Sequence, residues 1–577
     1  MTRLFSFVLA GLVSLALASA AENAPPVDAK AFTLVKTVGG IAHYKLPVND
    51  LEVLLLPDRS APVLTFMVTY RVGSRNEVTG TTGATHLLEH LMFKGSKKFH
   101  AGNGKGFDTL MDKVGGINNA TTWLDRTNYY ENLPSNHLEL AVELEADRMR
   151  NLLLLESDRQ PEMTVVRNEF ERGENDPLES LDKEITAAAF MAHPYHHSTI
   201  GWRSDIEKVS IEKLREFYDT FYWPNNATIT VIGDFVPENA LGLIGKYFGA
   251  IPKSKHAIPQ VYTEEPAQSG PRRVIVKRPG EVGVVQIAYK VPHARHEDHP
   301  ALEVLAAVLS EGKTSRLYRA MIDKNLAISS DAAKGFFHDN TLFTVNAMLT
   351  PGTTHDQAEK ALLAEIEKVK AEGVTPAEVE RGINKLLATI AYRRDGSFAI
   401  AGQINESIAV GDWTLYTTLL EKLKTVTAPD LQRVAKAYFL EDQSTTGWFI
   451  PQQEPAAPAP RVGLSEPSQT ELRDQPTLLA SAATPGSARG PYGKAQRSSP
   501  RPSPKPEPAG RLRWRRCRAD RARRAQCEAP QDRRGRCPHA QDLHQRGRDH
   551  PRCAGRRRCF QLGRQLRHRR SHRRHAR

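Results

Sequence analysis

Residues whose types and spacing could do chemistry stand in Thr85-His86-Leu87-Leu88-Glu89-His90-Leu91-Met92-Phe93. On a helix, positions i, i+3 and i+4 share a face. His86, Glu89 and His90 therefore point one way, and Leu87, Leu88, Leu91 and Met92 point the other. The apolar side can anchor in a core. Two histidines one turn apart can reach one zinc ion, and the glutamate between them stands where a general base for a metal-activated water belongs. A lone helical histidine is ordinarily a satisfied or surface residue, so the argument rests on three groups sharing a face. The order is the inverse of the commoner His-Glu-x-x-His. Zinc that keeps one place open for water takes a third protein ligand. Glu162 and Glu169, seven residues apart, share a helical face and are the best candidates, although paired glutamates on a helix by themselves commonly mark a solvated face.

Composition narrows the ligand set. All five cysteines (Cys517, Cys527, Cys537, Cys553 and Cys559) lie near the C-terminus, so any zinc in the body must use histidine and carboxylate. The net charge of +13 joins two unlike parts: residues 491–577 hold 28 Lys and Arg against 6 Asp and Glu, a net of +22, and the remainder carries −9. With 577 residues and 40% apolar content the chain can build two to four domains with real cores.

Around the motif, Leu51–Leu56 and Val63–Val72 read as a strand hairpin, residues 21–38 as a polar lead-in, and Asn119–Tyr130 as a strand. Gly83 opens the histidine-bearing helix, and Gly115-Gly116 ends another over Phe107–Val114. Long helices are predicted over His137–Leu154 and Arg159–Gly173. The pattern then restarts, with strands at Arg273–Lys277 and Val284–Tyr289, helices at Ala301–Leu309, Ser315–Lys324, Thr354–Glu372 and Pro376–Ala391, and a closing strand at Thr445–Ile450. The expected fold class is α+β: two tandem domains, 35–252 and 269–453, each a mainly antiparallel sheet with helices on one face, joined by a linker over Pro252–Gln268. Arg3, the apolar run Leu4–Leu17 and the small residues Ala18-Ser19-Ala20 predict a signal peptide over 1–20, cleaved after Ala20, and hence a periplasmic or secreted protein. That run is short for a membrane span, and no other stretch predicts a transmembrane anchor.

Several stretches together are similar to the pitrilysin/insulinase family of zinc peptidases, which includes the mitochondrial processing peptidases. They are His86-x-x-Glu89-His90 followed by Val166-x-x-Glu169; Val72-Gly73-Ser74-Arg75-Asn76-Glu77; Gly115 to Thr127, with Asn119-Ala120; His193-Pro194-Tyr195; Gly201-Trp202; Trp223-Pro224-Asn225-Asn226-Ala227; and Ser315-Arg316-Leu317-Tyr318. The likeness covers about 35–453. It implies one zinc ion per chain, held by His86, His90 and Glu169. It implies Glu89 as general base, and Glu162 as a further catalytic-site glutamate that supports the metal without binding it. Asn119 and Ala120 would lie on the strand that receives peptide substrate as an added strand. The implied activity is hydrolysis of peptide bonds in small or unfolded polypeptides.

The likeness also implies a second half of the same fold, on the same chain or a partner subunit, and an Arg and Tyr from it that this sequence does not locate. Where that half would follow stands a Pro/Ala-rich stretch and then the basic tail, together 454–577, expected to be disordered. The tail has 26 Arg and 2 Lys, no aromatic interleaving and no close cysteine pair. That composition fits a GC-rich gene read out of frame better than a nucleic-acid arm or a metal site, so no nucleic acid is expected as partner. His293, His296, Glu297, Asp298 and His299 read as a solvated turn, and Gly312-Lys313-Thr314 lacks the earlier glycine of a phosphate loop. The rival to an enzyme is a non-catalytic peptide-binding or scaffold subunit; the intact His86, Glu89, His90 and Glu169 set argues against it.

Overall fold

The computed structural model describes residues 28–452; the expected signal peptide and the tail beyond 453 lie outside the described residues. The first half runs β1 (Thr33–Val38), β2 (Ile41–Leu46), β3 (Leu51–Pro57), β4 (Val63–Tyr70), α1 (Ala84–Leu91), α2 (Phe107–Val114), β5 (Ile117–Thr122) and β6 (Thr127–Pro134). It continues with α3 (Leu138–Asn151), α4 (Glu156–Glu174), α5 (Pro177–Ala189), α6 (Arg203–Lys208), α7 (Ile211–Phe221), β7 (Ala227–Gly233) and α8 (Pro237–Phe248). The second half runs β8 (Arg272–Pro279), β9 (Val284–Val291), α9 (His299–Ser310), β10 (Ala327–Lys334) and β11 (Thr341–Leu349). Then come α10 (His355–Glu372), α11 (Pro376–Tyr392), α12 (Ser397–Ala409), α13 (Leu415–Lys424), α14 (Ala428–Tyr438) and β12 (Ser444–Gln452). Between them, 252–271 carries no regular element.

The two sheets share one topology. The first is ordered β1-β2-β3-β7-β4-β6-β5 and the second β10-β11-β9-β12-β8. Read from β3 and from β8, five strands occur in the same order in each half, and in each the first and last strands of that set pair in parallel. Three strand readings are corrected by this topology. β3 and β4 are not a hairpin, because β7 is inserted between them, parallel to β3 and antiparallel to β4. The lead-in contains the edge strand β1, whose residues are mostly exposed and so carry no alternating apolar signal. The single strand expected over Asn119–Tyr130 is a hairpin, β5 and β6. In the second half, the chain is helical over 316–322, within the helix expected at Ser315–Lys324, and its turns widen over Tyr318–Ile322, where Asp323 N–H donates to the Tyr318 carbonyl.

Each half keeps most of its helices on one face of its own sheet and lends one helix to the other sheet. Phe66, Val68 and Tyr70 face Leu87, Leu88, Leu91 and the α3 residues Leu144 and Met149. On the opposite face, Met67 and Ile232 meet Ala401, Ile404 and Ile408 of α12, which comes from the second half. In exchange, Leu181 and Ile185 of α5 pack against Val276, Val284 and Phe449 of the second sheet. Local signals start these helices: Asp176 accepts from the N–H groups of Leu178 and Glu179 ahead of α5, and Thr375 forms a capping box with Glu378 ahead of α11. Among the described residues, no helix is long and apolar enough to cross a membrane.

The exchange leaves no spare volume at β12. A Cβ on Gly447 would fall 2.5 Å from Ile185 Cδ1 and 2.8 Å from Leu181 Cδ1. Gly447→Val is expected to destabilise the protein by about 1–3 kcal/mol through overpacking, read as a lower urea midpoint with an unchanged slope. An unaltered midpoint would show that α5 is not seated there.

Candidate metal centre on a free sheet edge

The metal helix α1 is held at its start by a buried carboxylate. Glu77 accepts from Gly83 N–H at 2.8 Å and from Thr85 N–H at 2.7 Å, covering donors that a helix N-terminus leaves unpaired. Burial pushes its carboxyl up to about 8 against the pull of those donors. Gly83 has a φ of +83°, and a Cβ there would lie 2.4 Å from the Ile200 carbonyl oxygen. The chain can cross at that point only as glycine. Asp205 ties down the same loop through Gly80 N–H, Thr82 N–H and the Thr82 hydroxyl.

From this base, the described residues bring together His86, His90 and Glu169, with ligand atoms within 4.8 Å of one another. Glu169 Oε2 is 3.6 Å from His86 Nε2 and 3.8 Å from His90 Nε2. Glu162, two turns earlier on α4, does not join them. Its Oε1 lies 2.7 Å from His90 Nδ1, and its Oε2 lies 2.5 Å from Lys94 Nζ. A carboxylate on Nδ1 sets the tautomer that leaves Nε2 free to ligate. The electrostatics agree. Burial alone would raise Glu162, but hydrogen bonds from His90 and Lys94 bring it down to about 2. Burial would lower His90, yet Glu162, Glu89 and Glu169 outweigh it and raise it. His86 has no such support: burial, aided by His90, depresses it to about 3, so it is neutral and able to ligate at any ordinary pH. Two imidazole nitrogens and one carboxylate oxygen converging at this spacing fit a zinc ion.

Glu89 is 8% exposed and burial raises its pKa. Its Oε2 accepts from the Thr122 hydroxyl at 2.5 Å. Thr122 is the last residue of β5, the free edge of the first sheet, so the Glu89 carboxylate is tied to that edge. Asn119 and Ala120 lie on the same strand. Thr121 N–H faces β6, where Asn128 Oδ1 accepts it at 3.1 Å. By alternation Ala120 N–H faces the open edge, where Asn119 Oδ1 accepts it at 2.8 Å.

Sequence reasoning assigned no role to several supporting residues. The Arg126 guanidinium donates to the Thr121 carbonyl and to Glu406 of α12. Asp125 accepts from the Tyr195 hydroxyl at 2.6 Å and from His338 N–H at 2.9 Å. Asp339 accepts from Arg75 and pairs with His193; these bonds and His338 hold it well below the usual carboxylate range despite burial. The matched motif residues Arg75, Asp125, Arg126, His193 and Tyr195 thus join the two halves behind the edge strand.

The cluster read as a solvated turn is corrected: Asp298 and His299 are 5% and 0% exposed. Asp298 accepts from Arg433 and from the Tyr438 hydroxyl, both on or beside α14. His299 opens α9, the helix that occupies in the second half the place of α1. There, burial raises Glu303 and lowers Lys334, the last residue of β10, each opposed by the other's charge. Where the first half has Thr122 and the helix with His86 and His90, the second half thus has a buried lysine and a buried glutamate.

Comparisons with known proteins accord with this architecture. Residues 52–202 match the sequence model of insulinase, peptidase family M16, and residues 208–386 match that of the peptidase M16 inactive domain. The zinc protease PqqE of Helicobacter pylori is 33% identical over 408 residues, 70% of this chain and 91% of that protein. A crystal structure of a protease from Helicobacter pylori superimposes with a TM-score of 0.67 at 33% identity, covering 70% of this chain and 98% of the other. The periplasmic protease PqqL from Escherichia coli shares the fold, with a TM-score of 0.60 at 16% identity, and this chain covers 48% of it.

Two substitutions test the ligand geometry. His86→Ala is expected to abolish stoichiometric zinc, and Glu162→Gln to weaken zinc about 10–100-fold by removing the support of His90, both measured by chelator competition. Zinc affinity is also expected to fall as pH drops through the raised pKa of His90, because the imidazolium cannot ligate. Wild-type affinity in Glu162→Gln would refute the supporting role. On the motifs, the topology and the relatives together, the chain belongs to the insulinase family of zinc peptidases, peptidase family M16.

Proposed function

We propose that this protein is a zinc-dependent endopeptidase that binds small or unfolded polypeptides as an added strand on β5 and hydrolyses them beside α1. The observation that carries the reading is the convergence of His86 Nε2, His90 Nε2 and Glu169 Oε2 next to Glu89, which is itself bonded to the free sheet edge. Zinc held there supplies Lewis acidity toward water and the scissile carbonyl. Glu89 keeps Oε2 on Thr122 and uses Oε1 to take the proton from water and deliver it to the leaving amine. Its raised pKa suits it to hold that proton between the two transfers. Peptide pairing with Ala120 displaces the Asn119 side chain from the Ala120 N–H. Main-chain pairing gives affinity with little dependence on sequence.

Activity is proposed to require a second half of the same fold, on the same chain or on a partner subunit. The support is that this chain matches 48% of the periplasmic protease PqqL. Glu89→Gln is expected to keep zinc and lower peptide cleavage by at least about 100-fold, assayed with purified full-length protein and any co-purifying partner. If wild type and variant prove equally inert, the chain is a peptide-binding or scaffold subunit instead.

The protein is further proposed to be exported to the periplasm or beyond. The apolar run Leu4–Leu17 and Ala18-Ser19-Ala20 support this. N-terminal sequencing of the mature protein should begin at Ala21; retention of Met1 in a cytoplasmic fraction would refute export.

A further inference from the structure

An aromatic pair drawn from both halves stands beside the same free edge, on the face of the sheet away from the metal. Tyr130 of β6 lies directly opposite Asn119 of β5. Its side chain therefore shares a face of the sheet with Asn119 and stands one strand in from the open edge. Phe398, in the first turn of α12, packs on that ring with centroids 4.5 Å apart and planes tilted by 40°. The seat of Phe398 is fixed by its neighbour Ser397, whose Oγ is 2.9 Å from Thr65 Oγ1.

This surface is apolar yet uncovered. Phe398 is 41% exposed and Ile117 is 62% exposed. Strand alternation puts Ile117, Asn119 and Thr121 on this face, and Thr122 with Glu89 on the other. The core does not need these exposed groups, because Met67, Ile232, Ala401 and Ile404 already close it behind them.

We infer that Tyr130, Phe398 and Ile117 form a side-chain subsite that selects an apolar residue of the bound peptide at the strand position projecting onto the α12 face. The inference rests on the reading of β5 as a peptide-receiving edge. A peptide strand added to β5 alternates its side chains between the two faces, so a residue adjacent to one on the metal side lands here. Burial against the exposed Phe398 and Ile117 supplies the preference, while the backbone supplies affinity common to all peptides. Specificity then depends on the second half of the chain, which contributes Phe398.

The test uses full-length, zinc-loaded Glu89→Gln protein and a set of fluorescent peptides in which Phe, Ala or Asp is scanned through one otherwise constant sequence. Equilibrium binding is read by anisotropy. At one position Phe should bind roughly tenfold more tightly than Ala, as expected for burying an aromatic side chain. Adding Phe398→Ala should bring that ratio close to one, and Phe398→Arg should turn the preference toward Asp at the same position. A gain of that kind cannot come from misfolding, and zinc content reports the fold of each variant. An unchanged Phe/Ala ratio in both variants overturns the subsite while leaving peptide binding intact. Failure of every peptide to bind, with no Glu89-dependent cleavage by the wild type, overturns the peptidase reading and the subsite with it.

Discussion

The hydrogen bond from the Thr122 hydroxyl to Glu89 joins two elements that come from distant parts of the chain, the metal helix and the open edge of the first sheet. Much of the architecture exists to keep that bond in place. On one side, Glu77 and Asp205 hold the turn that starts α1. On the other, Arg126 holds the end of β5 through the Thr121 carbonyl and is itself held by Glu406 from the second half. A carboxylate that is 8% exposed keeps a defined position only if its neighbours are equally constrained.

The exchange of α5 and α12 between the halves gives the second half a role even though it brings no metal-ligand helix of its own. Its α12 covers the back of the first sheet, carries Glu406 to Arg126 and places Phe398 beside β5. The two halves keep the same strand order, but at the equivalent place one has two imidazoles and a carboxylate that could hold a metal and the other a buried lysine and glutamate. In the second half the cation is a side chain, so its charge cannot act as an exchangeable Lewis acid.

His86, Glu89 and His90 were legible in the sequence because one helical turn is a local, periodic object. Glu169 became a ligand candidate through its spacing from Glu162 and through the family likeness, and the fold brings its carboxylate between the two imidazoles. Which glutamate stands beside the ligand nitrogens and which behind them was not decided by helical spacing, since both share a face; it follows from where α4 crosses α1, with Glu162 meeting Nδ1 of His90 and Glu169 near Nε2. α12 was not expected at all, although Ala401, Ile404, Asn405 and Ile408 recur at helical spacing; its polar residues, Asn405 and Glu406, are spent on buried contacts with the first half rather than on solvent.

The sequence by itself determined the zinc-ligand types, the order of helices around the motif and the repetition of an α+β pattern, because periodicity, glycine turns and ligand spacing act over a few residues. Tertiary structure alone decided the strand order, with β7 inserted between β3 and β4, the burial of Asp298 and His299, and the crossing of helices between halves. These depend on contacts between residues far apart in the chain. A strand's own residues do not state which neighbour will satisfy its edge, nor does a histidine's neighbourhood in sequence state whether a helix from elsewhere will cover it.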